Sequence, residues 1–552
     1  MIGFDAGMTD VSLLPPKQHR ARLIALALMG AAPFAFGALA IWLGQDANWD
    51  LRNYHWYNAY AFLHWRYGFD VLPSQMPWFY NPLLDVPYYL LASHVPAKVA
   101  AYALGFVQGL NFILLFMLAY VALKPFNAWG KVGVCAALAA LGMLGGGGIA
   151  LFGTTFYDNV TSLGLFLSAL LLLCRFDELT AAPLRRAFWP AVLAGLPAGL
   201  MMGFKLPCVV FCLGFCLGIL AAAPSRRGLL VAFAFGIGIL LGVAISDGWW
   251  MLYLQTHFGS PLFPYFNEFF RSPLLPPIDL RDAQFVPHGW RDIVLFPYLF
   301  AKNPILVGET AWRDWRIPIL YVLVPLAVAL RLSIGGKKPA PLAQPYATRY
   351  VLAAAAVTYV AWLFLFSIYR YLVPLEMLAP LLIVLAADLL PFGLYARAGL
   401  AAVLLIVVAL SVQPGNWGRR TPWLQHAVEA QIPPLPDSKN LMILMAGIEP
   451  YAHLIPEFPP AIPFVRIESN LTVLAPGAPP IATPALNDII RARIAAHKGP
   501  LMLLMPSWQL ADGDDALARF GLKRQTPCQT VIDRLYNDSE LALCPVIGAR
   551  KS

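Results

Sequence analysis

The stretch Gln45-Asp46-Ala47-Asn48-Trp49-Asp50-Leu51-Arg52-Asn53-Tyr54-His55-Trp56-Tyr57-Asn58 gathers two carboxylates, a guanidinium, an imidazole and several aromatic rings. Carboxylates and imidazoles move protons, and aromatics with a cation bind polar, ring-shaped or charged ligands. A helix running on to about Phe62 would set Asp50, Tyr54 and Tyr57 on one face at i, i+4 and i+7, with Asp46 one turn earlier. The competing reading is structural: Asp46 or Asp50 caps a short interfacial helix, and the Tyr and Trp side chains form a headgroup belt.

Other groups able to do chemistry are scattered along the chain. Lys205, in Lys205-Leu206-Pro207, falls between two apolar stretches, where a charge needs a partner or a purpose; the alternative is snorkelling to the interface. Arg370, in Tyr369-Arg370-Tyr371, opens a late apolar stretch, and a guanidinium suits bidentate phosphate binding or interfacial anchoring. Asp158, in Tyr157-Asp158-Asn159, is placed to bind a metal, orient a ligand or cap the helix that follows. Asn267 closes the aromatic run Phe263-Pro264-Tyr265-Phe266-Asn267, and His257 and His288 lie in the same region. The sequence holds no HExxH, GxSxG, Walker A or paired CxxC motif.

The elements that must position these residues are apolar helices. Of 552 residues 59% are hydrophobic and 12% charged, with a net charge of +9 and a mean hydropathy of +0.64. An ordinary soluble domain carries roughly 25% charged residues, so lipid must solvate much of this chain. Spans of about 20 apolar residues are expected near 22–44, 97–123, 132–154, 160–176, 190–204, 206–223, 228–247, 317–332, 349–368, 372–392 and 399–413. Lys124 and Lys131, Arg175, Arg185 and Arg186, Arg226 and Arg227, Arg331, Lys337, Lys338 and Arg349, and Arg397 occupy every second loop. This places the N-terminal tail, 1–21, in the cytoplasm, and loops 45–96 and 248–316 outside. The basic residues follow topology and form no cluster of the kind nucleic acid requires. Residues 414–552 carry shorter apolar runs, Leu441–Ala446, Phe464–Ile467 and Leu501–Met505, with a helical stretch at Asn487–His497, and read as a soluble extracytoplasmic α/β domain. Cys528 and Cys544 in that domain can form a disulfide outside the cytoplasm. Cys208, Cys212 and Cys216 recur every four residues, a pattern of small residues packing in a bundle.

The Asp50-Leu51-Arg52-Asn53-Tyr54 stretch, just outside the first span, resembles the first outer loop of GT-C glycosyltransferases. It is most similar to the polyprenyl-phosphate-sugar-dependent branch related to glycosyltransferase family 87. The resemblance covers about residues 20–413. It implies a polytopic α-helical GT-C fold of roughly eleven spans in the cytoplasmic (inner) membrane, with the C-terminal domain periplasmic. It further implies an inverting transfer of a sugar from a lipid-linked donor, a polyprenyl-phosphate sugar, to a lipid, glycan or protein acceptor. Asp50 would be the general base, with Asp46 in reserve. Lys205, Arg370 and Arg52 would meet the donor phosphate. Asp158, Tyr54, His55, Tyr57 and Asn267 would contact sugar or acceptor. No cofactor is required, although a divalent metal is compatible; membrane lipids are the other expected partners. Two alternatives stand beside this reading, a ligase or polymerase of undecaprenyl-diphosphate glycans and a lipid or sugar transporter. Few charges are expected at mid-membrane depth, where transporters keep their sites.

Overall fold

The computed structural model of the chain describes residues 16–124, 126–334, 340–472, 481 and 483–548. Most of the tail expected at 1–21, and the basic pair Lys337 and Lys338, lie outside the described residues. Among those residues eight helices are long and apolar enough to cross a membrane: Gln18–Leu43, Ala97–Ala122, Leu184–Phe204, Arg226–Ser246, Arg316–Ser333, Pro345–Leu365, Tyr369–Asp388 and Leu394–Ser411. Three shorter apolar helices, Ala128–Met143, Asp158–Cys174 and Leu206–Ala222, complete the bundle. Each of the eleven expected apolar stretches therefore has a helix, and the third, expected over 132–154, is clearly shorter. The third stops at Met143 because a glycine run, Gly145–Gly148, follows; it opens a separate short helix, Gly146–Ala150.

Helix packing in the bundle rests on missing side chains. Gly195 and Gly199 on one helix face Gly238 and Gly242 on another, four residues apart in each case. A Cβ at Gly199 would lie 2.0 Å from the Ile239 carbonyl oxygen, and one at Gly238 would lie 2.0 Å from that of Val192. Close backbone approach of this kind drives association where no hydrophobic effect operates between helices. The buried cysteines Cys208 and Cys212 pack in the same way, as small apolar residues.

The C-terminal region folds around a mixed sheet. In chain order the strands of the described residues are β1 (Gln45–Asp46), β2 (Arg419–Arg420), β3 (Ala430–Gln431), β4 (Met442–Met445), β5 (Phe464–Arg466), β6 (Leu501–Pro506), β7 (Leu522–Arg524), β8 (Gln529–Asp533) and β9 (Ser539–Gly548). The order β3-β8-β9-β6-β4-β5 makes the main sheet, with β7 also on β9. The three expected apolar runs are β4, β5 and β6, and they pair in parallel. The C-terminal half is antiparallel instead, and β8 and β9 are joined by a short turn of the kind an antiparallel pair allows. Cys528 and Cys544 are disulfide-bonded.

The first loop does not stand apart from this domain. β1 pairs antiparallel with β2, and Val71 extends the sheet beside β5. Leu51, Trp56, Tyr57 and Trp78 share one apolar core with Ile443, Leu454, Phe464 and Leu543. A division at 414 thus cuts through a core that loop 45–96 helps to build.

Candidate functional site

Two backbone irregularities decide what Asp50 faces. The Asn48 side chain accepts the Leu51 N–H at 2.7 Å and so caps the helix start, which leaves the Asp50 carboxylate free of any capping bond. Residues Leu51–His55 then form a π-helical turn, in which the Trp56 N–H donates to the Leu51 carbonyl, before the α-helix Trp56–Leu63. The wider turn changes the angular phase. Tyr54 still reaches Asp50, its hydroxyl donating at 3.3 Å. Tyr57, expected on the same face, is rotated away and donates to Asp70 at 2.7 Å.

Two of the three candidate cations, Lys205 and Arg370, are carried by breaks between helices. Lys205 follows the last residue of Leu184–Phe204 and precedes the 3-10 turn Leu206–Cys208. Arg370 lies in the 3-10 turn Tyr369–Leu372, after a left-handed Ser367. A helix break lets a long side chain leave the bundle axis at the helix end rather than at mid-depth, where a charge is most costly. The Lys205 ammonium donates to Asp158 Oδ1 at 2.6 Å and to the Phe156 carbonyl at 2.7 Å. Arg370 pairs with Asp50 Oδ2 at 3.2 Å, approaches Glu309 at 4.0 Å and lies 4.0 Å over the Phe156 ring. Asp158 itself opens its helix after a left-handed Tyr157. It is thus paired to lysine and makes no side-chain cap.

Beside these pairs lies a second, buried one. His55 Nδ1 is 2.6 Å from Asp85 Oδ1, and the imidazole is packed between the rings of Tyr54 and Tyr157. Burial pushes the His55 imidazole well down, and the nearby Lys205 and Arg370 charges push it further. Burial pushes Asp85 well up, partly offset by Tyr157 and reinforced by the Asp50 charge. Burial also raises the Asp50 carboxyl above its ordinary value. Arg370 opposes that shift, Glu309 adds to it and Lys205 opposes it. The Asp50 side chain keeps 16% of its surface exposed, against 4% for Asp158, so of the two paired aspartates Asp50 is the one a ligand can reach. A reachable carboxylate of raised basicity beside two cations can take a proton while the cations absorb developing negative charge.

Four expected site residues lie elsewhere. Asp46 is buried, with Oδ1 accepting from Asn48 and Oδ2 accepting both the Thr155 N–H and its hydroxyl; its carboxylate is consumed by structure. Arg52 turns towards the C-terminal domain, stacks 3.6 Å over Tyr536 and donates to the Ala47 carbonyl. Tyr57 belongs to the Asp70 cluster. Asn267 pins its own loop, accepting from Ser272 and donating to Leu275 and Pro276. Sequence reasoning missed Asp85, Glu309 and the hydrogen-bonded hydroxyls of Tyr80 and Tyr265. Asp85 carried one signal, an acidic residue immediately before a short helix in the aromatic first loop. Glu309 carried none, because only folding brings it to Arg370.

Among the described residues no group of three or more His, Cys, Asp and Glu side chains is placed to hold a metal ion. Compared with family models, curated proteins and solved structures, the chain matches none.

Proposed function

We propose that the protein is a GT-C-type glycosyltransferase spanning the cytoplasmic membrane roughly eleven times, with its sheet domain and reaction centre on the outer face. The observation that carries this reading is the Asp50 carboxylate, reachable at one end of the bundle and flanked by Arg370 and the Lys205–Asp158 pair. Asp50 takes the proton of an acceptor hydroxyl as that oxygen attacks C1 of the donor sugar. The bond from C1 to the lipid phosphate breaks with its electron pair on the phosphate oxygen, opposite the attacking face, and the anomeric configuration inverts. Arg370 and Lys205 offset the charge on the departing phosphate. A lipid phosphate is a good leaving group, so the centre works without a dedicated acid.

The test is transfer by purified protein in nanodiscs, using radiolabelled polyprenyl-phosphate sugars as donors and total lipid extract as acceptor. Product with the native chain and none with Asp50→Asn supports the reading. Equal product from both assigns the base elsewhere. Neither product nor donor binding with any sugar sinks it.

A further inference from the structure

We propose that Glu309 is a positioning residue for the Asp50 centre, holding the second arm of the Arg370 guanidinium, and that the strap 413–420 fixes its distance from Asp50. Asp50 and Glu309 meet Arg370 through different nitrogens: Nη1 lies 3.2 Å from Asp50 Oδ2, and Nη2 lies 4.0 Å from Glu309 Oε1. An unconstrained guanidinium takes one carboxylate with both arms, at roughly 2.7–2.9 Å. Here it is divided between two carboxylates, and neither comes that close.

The division needs Glu309 to be held, because 51% of its side chain is exposed. The holder is Trp417, whose indole N–H donates to Glu309 Oε2 at 3.0 Å. The backbone around both is laced together. Arg313 and Gln413 exchange N–H···O bonds at 2.9 Å, and the Thr310 hydroxyl donates to the Asn416 carbonyl at 3.0 Å. The same strap reaches the base. The Gly418 carbonyl accepts the Ala47 N–H at 3.0 Å, three residues before Asp50, and β2 then pairs with β1. One segment thus sets the spacing of the two carboxylates.

The other groups facing Asp50 leave this arrangement in control. Tyr54, Tyr80, Tyr265 and Tyr371 are phenols, uncharged at neutral pH. Asp85 is bonded to His55, and Lys205 to Asp158. Glu309 places negative charge beside Asp50 and draws off part of Arg370, and both effects keep Asp50 basic. Without it the guanidinium can close on Asp50 with both arms, which weakens the base. As an account of catalysis this rests on the transferase reading.

Titration of Asp50 can be read without turnover. With the full chain in nanodiscs, the carboxyl stretch that Asp50→Asn removes identifies Asp50 in infrared difference spectra. Glu309→Gln keeps the shape and removes the charge, so the Asp50 midpoint should move to lower pH by roughly half a pH unit, the modest size a half-exposed partner allows. Trp417→Phe should move it the same way, because an unheld Glu309 turns into solvent. In the transfer assay both variants should shift the acid limb of kcat/KM likewise and lower kcat by about tenfold, with the donor KM not raised. The proposal is overturned if the Asp50 midpoint stays or rises in Glu309→Gln, if Trp417→Phe leaves it in place, or if the variants change only the unfolding temperature. The expected midpoint shifts without any transfer would retain the Glu309 contact and defeat the transferase reading.

Discussion

At the scale of single residues, Asp50 differs from Asp46, Asp85 and Asp158 in exposure: 16% of its side chain is accessible, against 5% for Asp85 and 4% for Asp158. Asp46 has both oxygens filled by neighbours, Asp158 is held by Lys205, and Asp85 is buried against His55. Replacing Asp50 by Asn removes the proton acceptor but keeps the shape, and should lower turnover by about 10²–10⁴-fold with folding intact, as read by transfer assays and thermal unfolding. The pH profile gives an independent check. A base works when ionised, and burial raises the Asp50 carboxyl, so activity should fall as pH drops through a value above the ordinary carboxylate range of about 4. Arg370 is the largest influence holding that value down. Arg370→Gln should therefore move the acid limb of kcat/KM to higher pH, and an unmoved limb would dissociate Asp50 from the titration. For Lys205 the comparison needs its partner, since Lys205→Ala alone strands Asp158. The double variant Lys205→Ala/Asp158→Ala should weaken donor binding by about tenfold to a hundredfold. The chemical identity of these residues was legible because Asp, Lys and Arg are rare in so apolar a chain. Their partners were not, because Asp50 and Arg370 are 320 positions apart.

At the scale of elements, the length of the apolar runs located the helices but could not locate their irregularities. The π-helical turn at Leu51–His55 shifts Tyr57 off the face that 3.6-residue spacing assigned to it. Such a turn leaves no mark in apolar periodicity. The breaks at Lys205 and Ser367 are different: Pro207 announces the first, whereas the second needs a left-handed serine that the sequence does not advertise. The glycine spacing on Leu184–Phe204 and Arg226–Ser246 was likewise present in the sequence, and its meaning depends on the two helices facing each other. Gly199→Leu would drive a side chain into the Ile239 backbone. It should cost about 1–3 kcal/mol or more, seen as a lower unfolding temperature in detergent. Gly236→Ala is the matched control, because a Cβ there meets nothing within 4 Å.

At the scale of the whole molecule, the site depends on a joint between the first loop and the sheet domain. Asp70 is the hub of that joint. Its Oδ1 accepts from Arg66 at 2.8 Å and from the Phe464 N–H of β5 at 2.8 Å, and its Oδ2 accepts the Tyr57 hydroxyl. Arg66 in turn donates to the carbonyls of Pro460 at 2.8 Å and Ile462 at 2.7 Å in the sheet domain, and Val71 exchanges backbone bonds with Phe464 and Arg466. Removing one partner of a buried ion pair leaves the other charge desolvated and costs about 3–5 kcal/mol, whereas deleting a single neutral hydrogen-bonding group costs about 1 kcal/mol. Asp70→Ala should therefore loosen the joint far more than Tyr57→Phe. Hydrogen exchange is the direct measure: in Asp70→Ala, amides of 64–72 and of β5 should lose protection together, because Val71 pairs with β5 and Asp70 accepts the Phe464 N–H. Loss confined to 64–72 would show that the loop moves alone and that the sheet domain is anchored through β1 and β2 instead. The same variant should lower transfer without altering the chemistry of Asp50, since the helix carrying Asp50 and the helix carrying Tyr57 are continuous, and a joint that gives way at one end tilts the carboxylate at the other.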